Sequence, residues 1–458
     1  MKKIHDQDIL LTVVIPVLNG ERYIEECLLS VIHQEVSNIE ILIVDAGSSD
    51  QTLQIAEKYR NQDDRIAIIN VPVKSYGAQV NIGIQEAKGK YLAILEADDM
   101  IPYSAYSKLL KTIVESDADI VKGNYSNLIT ASNGKSVLSD TDRFKKDPSL
   151  YGKVLNARKY TDILRRDLYL WCAVYKLEFI KSNNITLNET PGAAFQDNGF
   201  VMQTLVLAAS IIYIRDIVYI YRKDNELSSS YNPNGFKYVA DEYEFIYKFL
   251  SGVNPEELKL YRPLYYLKLM DMIRTRCLLR GLDDVCRKID SSVIERCQLL
   301  LSRGKEDGII GEDLRSQKDL YEIDLFTRDA ETYMQYSREK ILVEKTAVNT
   351  FLNKIAEHKK IVVWGYGKTG STFKMLLEKK LPGYNAIWTD SDSSKFEASL
   401  DIRNADEVAS QDDGSYLYII CCEEYRYEIR DRLHEVFNIP YERIVFYTLG
   451  TSHLLLRM

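Results

Sequence analysis

Three carboxylic acids stand within four positions of one another where an apolar run ends. Residues 92–95 are apolar, and Glu96, Asp98 and Asp99 follow directly. Carboxylates this close repel one another unless a cation neutralises them, and Mg²⁺ and Mn²⁺ prefer oxygen ligands that they share with substrate phosphates. The spacing therefore predicts a metal–diphosphate site at the carboxyl end of a buried strand, where open α/β sheets bind ligands. The alternative is a solvated acidic turn in which Asp99 or Ser104 caps the next helix.

A second acidic position ends another apolar run. Asp45 follows residues 39–44, and Gly47 comes two residues later. A carboxylate at a strand end can accept hydrogen bonds from a base or a ribose hydroxyl, and glycine lets the backbone approach a ligand closely. The alternative is a simple turn in which Asp45 and Asp50 only cap the following helix.

Both positions belong to an alternating pattern of strands and helices. Residues 10–17, 39–44, 66–71 and 91–95 have the composition of buried strands, and segments of helical periodicity separate them. Short links between such elements favour parallel pairing with right-handed crossovers. The fold class predicted here is an α/β sheet of the nucleotide-binding kind.

The composition is that of a globular protein of 458 residues, long enough for two or three domains. Its net charge of -8 argues against a general affinity for nucleic acid. Seven cysteines without a Cys-x-x-Cys pair favour reduced thiols. The N-terminus lacks the pattern of a signal peptide, and residues 200–214 are too interrupted by polar side chains to span a membrane. We therefore expect a cytoplasmic protein without a transmembrane segment, and peripheral membrane contact is left open.

The chain resembles glycosyltransferase family 2, which has the GT-A fold, over about residues 11–230. The resemblance is carried in register by TVVIPVLNGERYIEECLLSVIHQ, IEILIVDAGSSDQT and YGAQVNIGIQEAKGKYLAILEADDM. Two positions depart from the family pattern. Asp45-Ala46 stands where the family has paired aspartates, and Glu96-Ala97-Asp98-Asp99 stands where it has Asp-x-Asp-Asp.

The resemblance implies a site for a nucleotide-sugar donor. The residues that it places around the donor are Pro16, Glu21, Asp45, Gly47, Gly77, Asn81, Glu96 and Asp98. Asp98 is also implied as the ligand of the Mn²⁺ or Mg²⁺ that bridges the donor diphosphate.

Two residues further along the chain are catalytic candidates. Asp197 lies at the start of an apolar helical segment, where it could simply cap the helix, an effect worth about 1 kcal/mol. The family's acidic pair falls at Gln196-Asp197, and the resemblance therefore implies that Asp197 is the general base. Arg222 ends a predicted strand, where it would stabilise the leaving diphosphate or lie on the surface. The Gln-x-x-Arg-Trp motif of processive members does not follow Asp197, which indicates transfer of single sugars.

The rest of the chain predicts two further modules. We divide the sequence into a GT-A domain at residues 1–235, a helical module at 236–350 and a small Rossmann-like domain at 351–458. The last of these contains Gly365, Gly367 and Gly370 in a G-x-G-x-x-G pattern, with Asp390 twenty residues further on. We expect these glycines only to close a turn in a structural or dimerising module. Binding of NAD(P) is the alternative.

The predicted protein is an inverting, metal-dependent, non-processive glycosyltransferase. It moves a sugar from a nucleotide-diphosphate donor, expected to be a UDP-sugar, to a hydroxyl acceptor in bacterial cell-surface polysaccharide or glycoconjugate synthesis. The expected acceptor is a carbohydrate or a lipid-linked or protein-linked glycan. The alternatives are a non-catalytic GT-A scaffold or assembly protein, and a bifunctional protein whose C-terminal domain binds NAD(P). A homo-oligomer formed through the C-terminal modules is left open.

Overall fold

The computed structural model describes residues 9–130, 136–223, 225, 236–280, 290–310, 317–358, 360–392, 402–422 and 425–447. These residues fall into two compact units. The first unit comprises the described parts of Met1–Ser126 and Asp142–Gln335, and the second those of Asn127–Thr141 and Tyr336–Met458. The domain boundaries placed after residues 235 and 350 stay a prediction.

The first unit begins with the alternating strands and helices that the sequence predicts. The strands are β1 (Leu11–Val17), β2 (Ile39–Asp45), β3 (Ile66–Asn70) and β4 (Tyr91–Ile94), and the helices between them are α1 (Ile24–Ile32), α2 (Thr52–Arg60) and α3 (Tyr76–Glu86). β1 pairs in parallel with β2 and β4, and β2 pairs in parallel with β3. The carboxyl ends of β2 and β4 therefore meet at one edge of the sheet, where Asp45 and Glu96 lie.

A proline stands inside β1 at no cost to the sheet. The backbone N–H of Leu95 donates to the carbonyl oxygen of Val14 at 2.9 Å, so Val14 faces β4. Pro16, two residues further on, faces the same side, because backbone groups alternate along a strand. β4 has already ended at Ile94. The missing N–H of Pro16 therefore leaves no sheet hydrogen bond unmade.

Antiparallel strands extend this sheet beyond β4. The remaining elements of this part of the chain are α4 (Ala105–Ser116), β5 (Ile120–Thr130), β6 (Ser136–Asp140), β7 (Val154–Leu155), α5 (Asp162–Arg166), β8 (Ala173–Lys176), α6 (Leu177–Ser182), α7 (Gln196–Leu207) and β9 (Ile211–Arg222). Among the described residues the strand order is β3-β2-β1-β4-β8-β5-β9-β7, with β6 paired to β5. β8 runs antiparallel to β4 and β5. The chain thus returns through β9 to the acidic end of β4.

Helices follow the sheet in sequence. They are α8 (Phe236–Ser251), α9 (Pro255–Arg280), α10 (Ser291–Glu306), α11 (Gln317–Arg328) and α12 (Ala330–Ala356). Tyr243, Tyr265 and Tyr266 are fully buried between them, so these tyrosines are packing residues and do not form a sugar-binding surface. Within the described part of the chain, every helix falls short of the length and apolar character needed to cross a bilayer.

The second unit contains a separate parallel sheet. Its elements are β10 (Lys360–Trp364), α13 (Lys368–Lys380), β11 (Ala386–Asp390), β12 (Ile402–Asn404), α14 (Ala405–Ser410), β13 (Tyr416–Ile420), α15 (Arg426–Phe437) and β14 (Ile444–Phe446). The strand order β12-β11-β10-β13-β14, with parallel pairing throughout, is Rossmann-like. Ile361 and Val363 belong to one core layer and Val362 and Trp364 to the other, as expected for a strand covered on both faces.

Candidate active site

Asp99 anchors the turn that follows β4. Its side chain is fully buried: Oδ2 accepts a hydrogen bond from the hydroxyl of Tyr219 at 2.7 Å, and Oδ1 accepts one from the backbone N–H of Arg222, also at 2.7 Å. Burial raises the pKa of Asp99 well above its ordinary value, and the charge of Asp98 raises it further. Asp99 therefore ties the turn to β9. Asp99 is not the cap of the next helix, because α4 begins at Ala105 and its N-cap residue is Ser104.

Arg222 holds the same turn from the end of β9. Its Nε donates to the backbone carbonyl oxygen of Asp98 at 2.9 Å, and its Nη2 forms an ion pair with Oε2 of Glu26 at 2.5 Å. The guanidinium also lies over the ring of Tyr23, 4.8 Å from the ring centre. The side chain is almost entirely buried. Through these contacts Arg222 fixes the position of Asp98. The action of Arg222 on a leaving diphosphate stays a prediction.

Asp98 is held at its side chain by a residue that the sequence did not single out. Nδ2 of Asn225 donates to Oδ2 of Asp98 at 2.7 Å. Burial raises the pKa of Asp98, while the hydrogen bond from Asn225 and the charge of Arg222 act in the opposite direction. The sequence spacing does not reveal this contact, because Asn225 lies far from Asp98 along the chain. It comes close to Asp98 only because it follows β9, which ends beside the turn after β4.

Glu96 lies between Tyr76 and two further carboxylates. Its Oε1 accepts a hydrogen bond from the hydroxyl of Tyr76 at 2.5 Å. Burial raises the pKa of Glu96 to about 8, and the charges of Asp98 and Asp197 add to this rise, against the lowering effect of Tyr76. The contribution of Asp197 agrees with the backbone contact of Tyr76, whose N–H binds the carbonyl oxygen of Gly192 in the segment that precedes Asp197.

The segment before α7 brings Asp197 to that site. The backbone N–H of Tyr76 donates to the carbonyl oxygen of Gly192 at 2.9 Å, and the N–H of Gly192 donates to the carbonyl oxygen of Lys74 at 2.7 Å. Gly192 has a φ of +84°, a conformation that glycine adopts without strain. Gln196 is buried, and its side chain accepts from the N–H of Ala194 and donates to the carbonyl oxygen of Gly192. The segment is thus fastened to the start of α3.

Gly77 and Asn81 also fasten this segment. A Cβ at Gly77 would overlap the backbone carbonyl of Asn188, so only glycine allows this approach. Nδ2 of Asn81 donates to the carbonyl oxygen of Leu187 at 2.9 Å, and Oδ1 of Asn81 accepts from the N–H of Leu187 at 2.8 Å. The structure therefore places both residues against the segment that leads to Asp197. Their predicted contact with the donor stays a prediction.

One carboxylate oxygen of Asp45 lacks a hydrogen-bond partner among the described residues. The side chain is fully buried, and its Oδ2 accepts from the backbone N–H groups of Gly47 and Ser48 at 2.8 and 2.9 Å. Its Oδ1 is buried without a hydrogen-bond partner among the described residues. A buried carboxylate oxygen without a partner is unfavourable, and a ligand N–H or hydroxyl group would relieve this cost.

The remaining predicted donor residues lie in β1 and in the loops after β1 and β2. Pro16 is buried in β1 beside β2, where its register partner is Val44. Gly47 is exposed with a φ of +83°. Glu21 is exposed, and its Oε2 accepts from the N–H of Gln51 at 2.9 Å. Glu21 therefore joins the loop after β1 to the loop after β2, and a direct contact with the donor stays a prediction for all three residues.

Glu96 and Asp98 offer the oxygen ligands that Mg²⁺ and Mn²⁺ prefer. Across the part of the chain that the structure describes, no group of three or more His, Cys, Asp or Glu side chains is arranged to hold a metal ion. Burial raises the pKa of both carboxyls, and a bound cation would favour their ionised forms. Mg²⁺ usually takes one or two protein carboxylates and completes its shell with substrate phosphates and water. The two side chains therefore fit a cation that binds together with a diphosphate.

The chain matches the family Glycosyl transferase family 2 over residues 12–169. It is 30% identical over 216 residues to the glycosyltransferase GlyG of Streptococcus pneumoniae, covering 47% of this chain and 71% of GlyG. The chain belongs to glycosyltransferase family 2. It is also 26% identical over 260 residues to the uncharacterized glycosyltransferase EpsJ of Bacillus subtilis, covering 55% of this chain and 74% of EpsJ.

A solved structure shares the fold of this family 2 chain. The crystal structure of Staphylococcus aureus TarS 1–349 in complex with UDP superposes with a TM-score of 0.50 at 19% identity, covering 74% of this chain and 92% of that one. The predicted family, the GT-A α/β fold and the glycosyltransferase activity are confirmed.

The glycine-rich turn of the second unit is organised around Asp390. Oδ2 of Asp390 accepts from the backbone N–H of Tyr366 at 2.7 Å, and Oδ1 accepts from the N–H of Asp392 at 2.9 Å. Gly365 has a φ of +103°, and a Cβ at Gly370 would overlap the carbonyl of Gly365. Gly367 has open space at its Cβ position. The glycines and Asp390 close the turn after β10, and whether a nucleotide binds there stays a prediction.

Proposed function

We propose that this family 2 glycosyltransferase transfers single sugars, with inversion, from a UDP-sugar to a hydroxyl acceptor in bacterial cell-surface polysaccharide or glycoconjugate synthesis. The observation that carries this proposal is the pair of contacts made by Tyr76: its hydroxyl donates to Oε1 of Glu96 at 2.5 Å, and its backbone N–H donates to Gly192, five residues before Asp197, at 2.9 Å. A proton acceptor and a diphosphate-binding turn in one site are what sugar transfer requires. The cell-surface setting rests on the family resemblance.

The donor nucleotide would bind beside β2. Asp45 Oδ1, buried and without a partner among the described residues, is suited to accept a hydrogen bond from the N–H of a uracil base. The TarS structure that shares this fold contains UDP, which supports the choice of nucleotide. Gly47, exposed and next to Asp45, leaves room for the nucleoside.

The diphosphate would lie at the turn after β4. Glu96 and Asp98 would hold the divalent cation, which supplies positive charge to the leaving diphosphate. Arg222 and Asn225 keep Asp98 in place for this task through its carbonyl oxygen and its Oδ2. These contacts fix the turn, so its polar groups are held in place for the charge that develops on the diphosphate.

Asp197 would accept the proton of the acceptor hydroxyl. As that proton moves to the carboxylate, the acceptor oxygen forms a bond to the anomeric carbon of the sugar. The bond between that carbon and the diphosphate oxygen breaks on the opposite side, and UDP leaves. General-base assistance of this kind is typically worth about 10²–10⁴-fold in rate.

The test compares Asp197→Asn with a matched surface variant. Asp216→Asn also removes one carboxylate from the first unit, but Asp216 is half-exposed and its Oδ1 pairs with Nζ of Lys108 at 2.7 Å. With a panel of UDP-sugars and Mn²⁺, we expect Asp197→Asn to bind UDP normally and to lose transfer by about 10²–10⁴-fold. Asp216→Asn should keep both. Transfer by Asp197→Asn at the normal rate would show that another group is the base.

A further inference from the structure

The helix that carries Asp197 has no cap of its own. α7 begins at Gln196, and Asp197 stands in its first turn. The residue before it, Phe195, has a φ of +70° and makes no side-chain cap hydrogen bond. The first N–H groups of a helix have no partner within the helix and must find one elsewhere. For α7, a neighbouring helix supplies that partner.

Glu242 of α8 contacts the first turn of α7. Its Oε1 accepts a hydrogen bond from the backbone N–H of Gly199 at 2.6 Å, two residues after Asp197. The Glu242 side chain is 1% exposed. A Cβ at Gly199 would overlap both Glu242 Oε1 and the ring of Phe245. Gly199 and Glu242 are therefore matched in shape as well as by the hydrogen bond.

A second contact from α8 reaches the segment that precedes α7. Nδ2 of Asn188 donates to the backbone carbonyl oxygen of Asp241 at 3.3 Å. The same segment is held from its other side by Asn81, through Leu187. α8 thus makes two contacts near Asp197: one with the segment that precedes α7 and one with the first turn of α7.

We propose that Glu242 is a positioning residue for Asp197: by capping α7 from α8, it fixes where the Asp197 carboxylate lies relative to Glu96. This inference rests on the proposed role of Asp197 as the base. The inference also gives a function to α8, which follows the GT-A sheet in sequence: it holds the base in place.

The charge state of Glu242 suits this role. Burial raises the pKa of Glu242 to about 8, and the charge of Asp197 adds to the rise, while the N–H of Gly199 opposes it. At neutral pH the carboxyl is therefore mostly protonated. Its carbonyl oxygen can still accept from Gly199, and no second full negative charge stands behind Asp197. Glutamine has the same shape and the same acceptor oxygen as this neutral form.

The test measures kcat and the donor KM of variants at this position. In Glu242→Ala the cap is lost, and we expect kcat to fall at least about tenfold with the donor KM unchanged, because a misplaced base slows proton transfer without affecting UDP. Glu242→Gln should keep nearly normal kcat at pH 7. Glu242→Asp, a smaller change to the core, withdraws the acceptor oxygen from Gly199 and should lower kcat in the same way.

Glu322→Ala is the matched control for lost stability. Glu322 is also 1% exposed and belongs to the same group of helices, where its Oε2 accepts from Arg274 at 2.6 Å. We expect Glu322→Ala to lower the melting temperature while kcat stays normal. If Glu242→Ala and Glu242→Asp keep normal kcat, or if Glu242→Gln is as slow as Glu242→Ala, the positioning role is refuted.

The Asp197→Asn background separates this inference from the proposed function. If Glu242 acts through Asp197, adding Glu242→Ala to Asp197→Asn leaves the residual rate unchanged. If Glu242→Ala instead lowers the rate of Asp197→Asn by the same factor by which it lowers the wild-type rate, Glu242 acts by another route. Full transfer by Asp197→Asn refutes the assignment of the base, whereas an inactive Asp197→Asn with a fully active Glu242→Ala refutes only the role of Glu242.

Discussion

The hydroxyl group of Tyr76 donates a hydrogen bond to Oε1 of Glu96 at 2.5 Å. Tyr76 is the first residue of α3, and its own N–H is bound to Gly192. One residue therefore contacts both the acidic turn after β4 and the segment that carries Asp197.

Removal of the Tyr76 hydroxyl should weaken catalysis and leave the fold intact. A single hydrogen bond to a carboxyl group is worth about 1–2 kcal/mol, so we expect Tyr76→Phe to lose about tenfold in kcat/KM. Tyr265→Phe is the matched control, because its buried hydroxyl donates to the carbonyl oxygen of Tyr243 at 2.9 Å, among the helices after the sheet. Equal kcat/KM for Tyr76→Phe and the wild type would mean that this contact has no part in transfer.

Replacement of Asp45 by asparagine should reduce the affinity for UDP. The amide oxygen can still accept from Gly47 and Ser48, but an NH₂ group then replaces the unpartnered Oδ1 and turns an acceptor into a donor. We expect a rise of at least about tenfold in the Kd for UDP, measured by calorimetry. Asp63→Asn is a suitable control, since Asp63 likewise accepts from a backbone N–H, that of Arg65, in a turn. An unchanged Kd for Asp45→Asn would exclude a base contact at Oδ1.

The sequence predicted those site residues whose position follows from strand order. Asp45, Glu96 and Asp98 are predicted as neighbours because the carboxyl ends of parallel strands meet at one edge. Asp197 required the family resemblance, since its approach to Glu96 depends on a segment fastened by backbone hydrogen bonds that side-chain patterns do not encode.

Other contacts of the site were not accessible to sequence reasoning. Tyr76, Asn225 and Glu242 reach it by packing between elements far apart in the chain, and each has an ordinary sequence context. From the sequence, Asp99 is either part of the acidic cluster or a helix cap, and only the structure shows its hydrogen bonds to Tyr219 and Arg222 of β9.

Removal of divalent cations should stop transfer and weaken donor binding. Glu96 and Asp98 lie together with raised pKa values, so a cation bound with the diphosphate would relieve an existing electrostatic cost. We expect EDTA to abolish turnover and Mn²⁺ or Mg²⁺ to restore it. Asp98→Asn should raise the Mn²⁺ concentration needed for half-maximal activity. Full activity in excess EDTA would contradict a metal at this turn.

The pKa of Glu242 makes a prediction about stability that is separate from catalysis. The carboxyl would ionise near its ordinary value of 4.5 in the unfolded chain, but in the folded protein it keeps its proton up to about pH 8. An acid whose pKa is higher in the folded than in the unfolded protein contributes stability. This contribution is fully present at pH values below the pKa in the unfolded chain, and it is lost as the pH rises through the pKa in the folded protein. The contribution of Glu242 should therefore disappear between about pH 4.5 and pH 8.

Glutamine at position 242 does not ionise and lacks this dependence. Relative to the wild type, Glu242→Gln should gain about 1.4 kcal/mol in the free energy of unfolding for each pH unit within that window, and the difference should level off above pH 8. Urea unfolding of both proteins at pH 5, 6, 7 and 8 measures it. A difference that stays constant with pH would show that Glu242 titrates alike in the folded and unfolded chain, and that its carboxyl is charged where it meets Gly199.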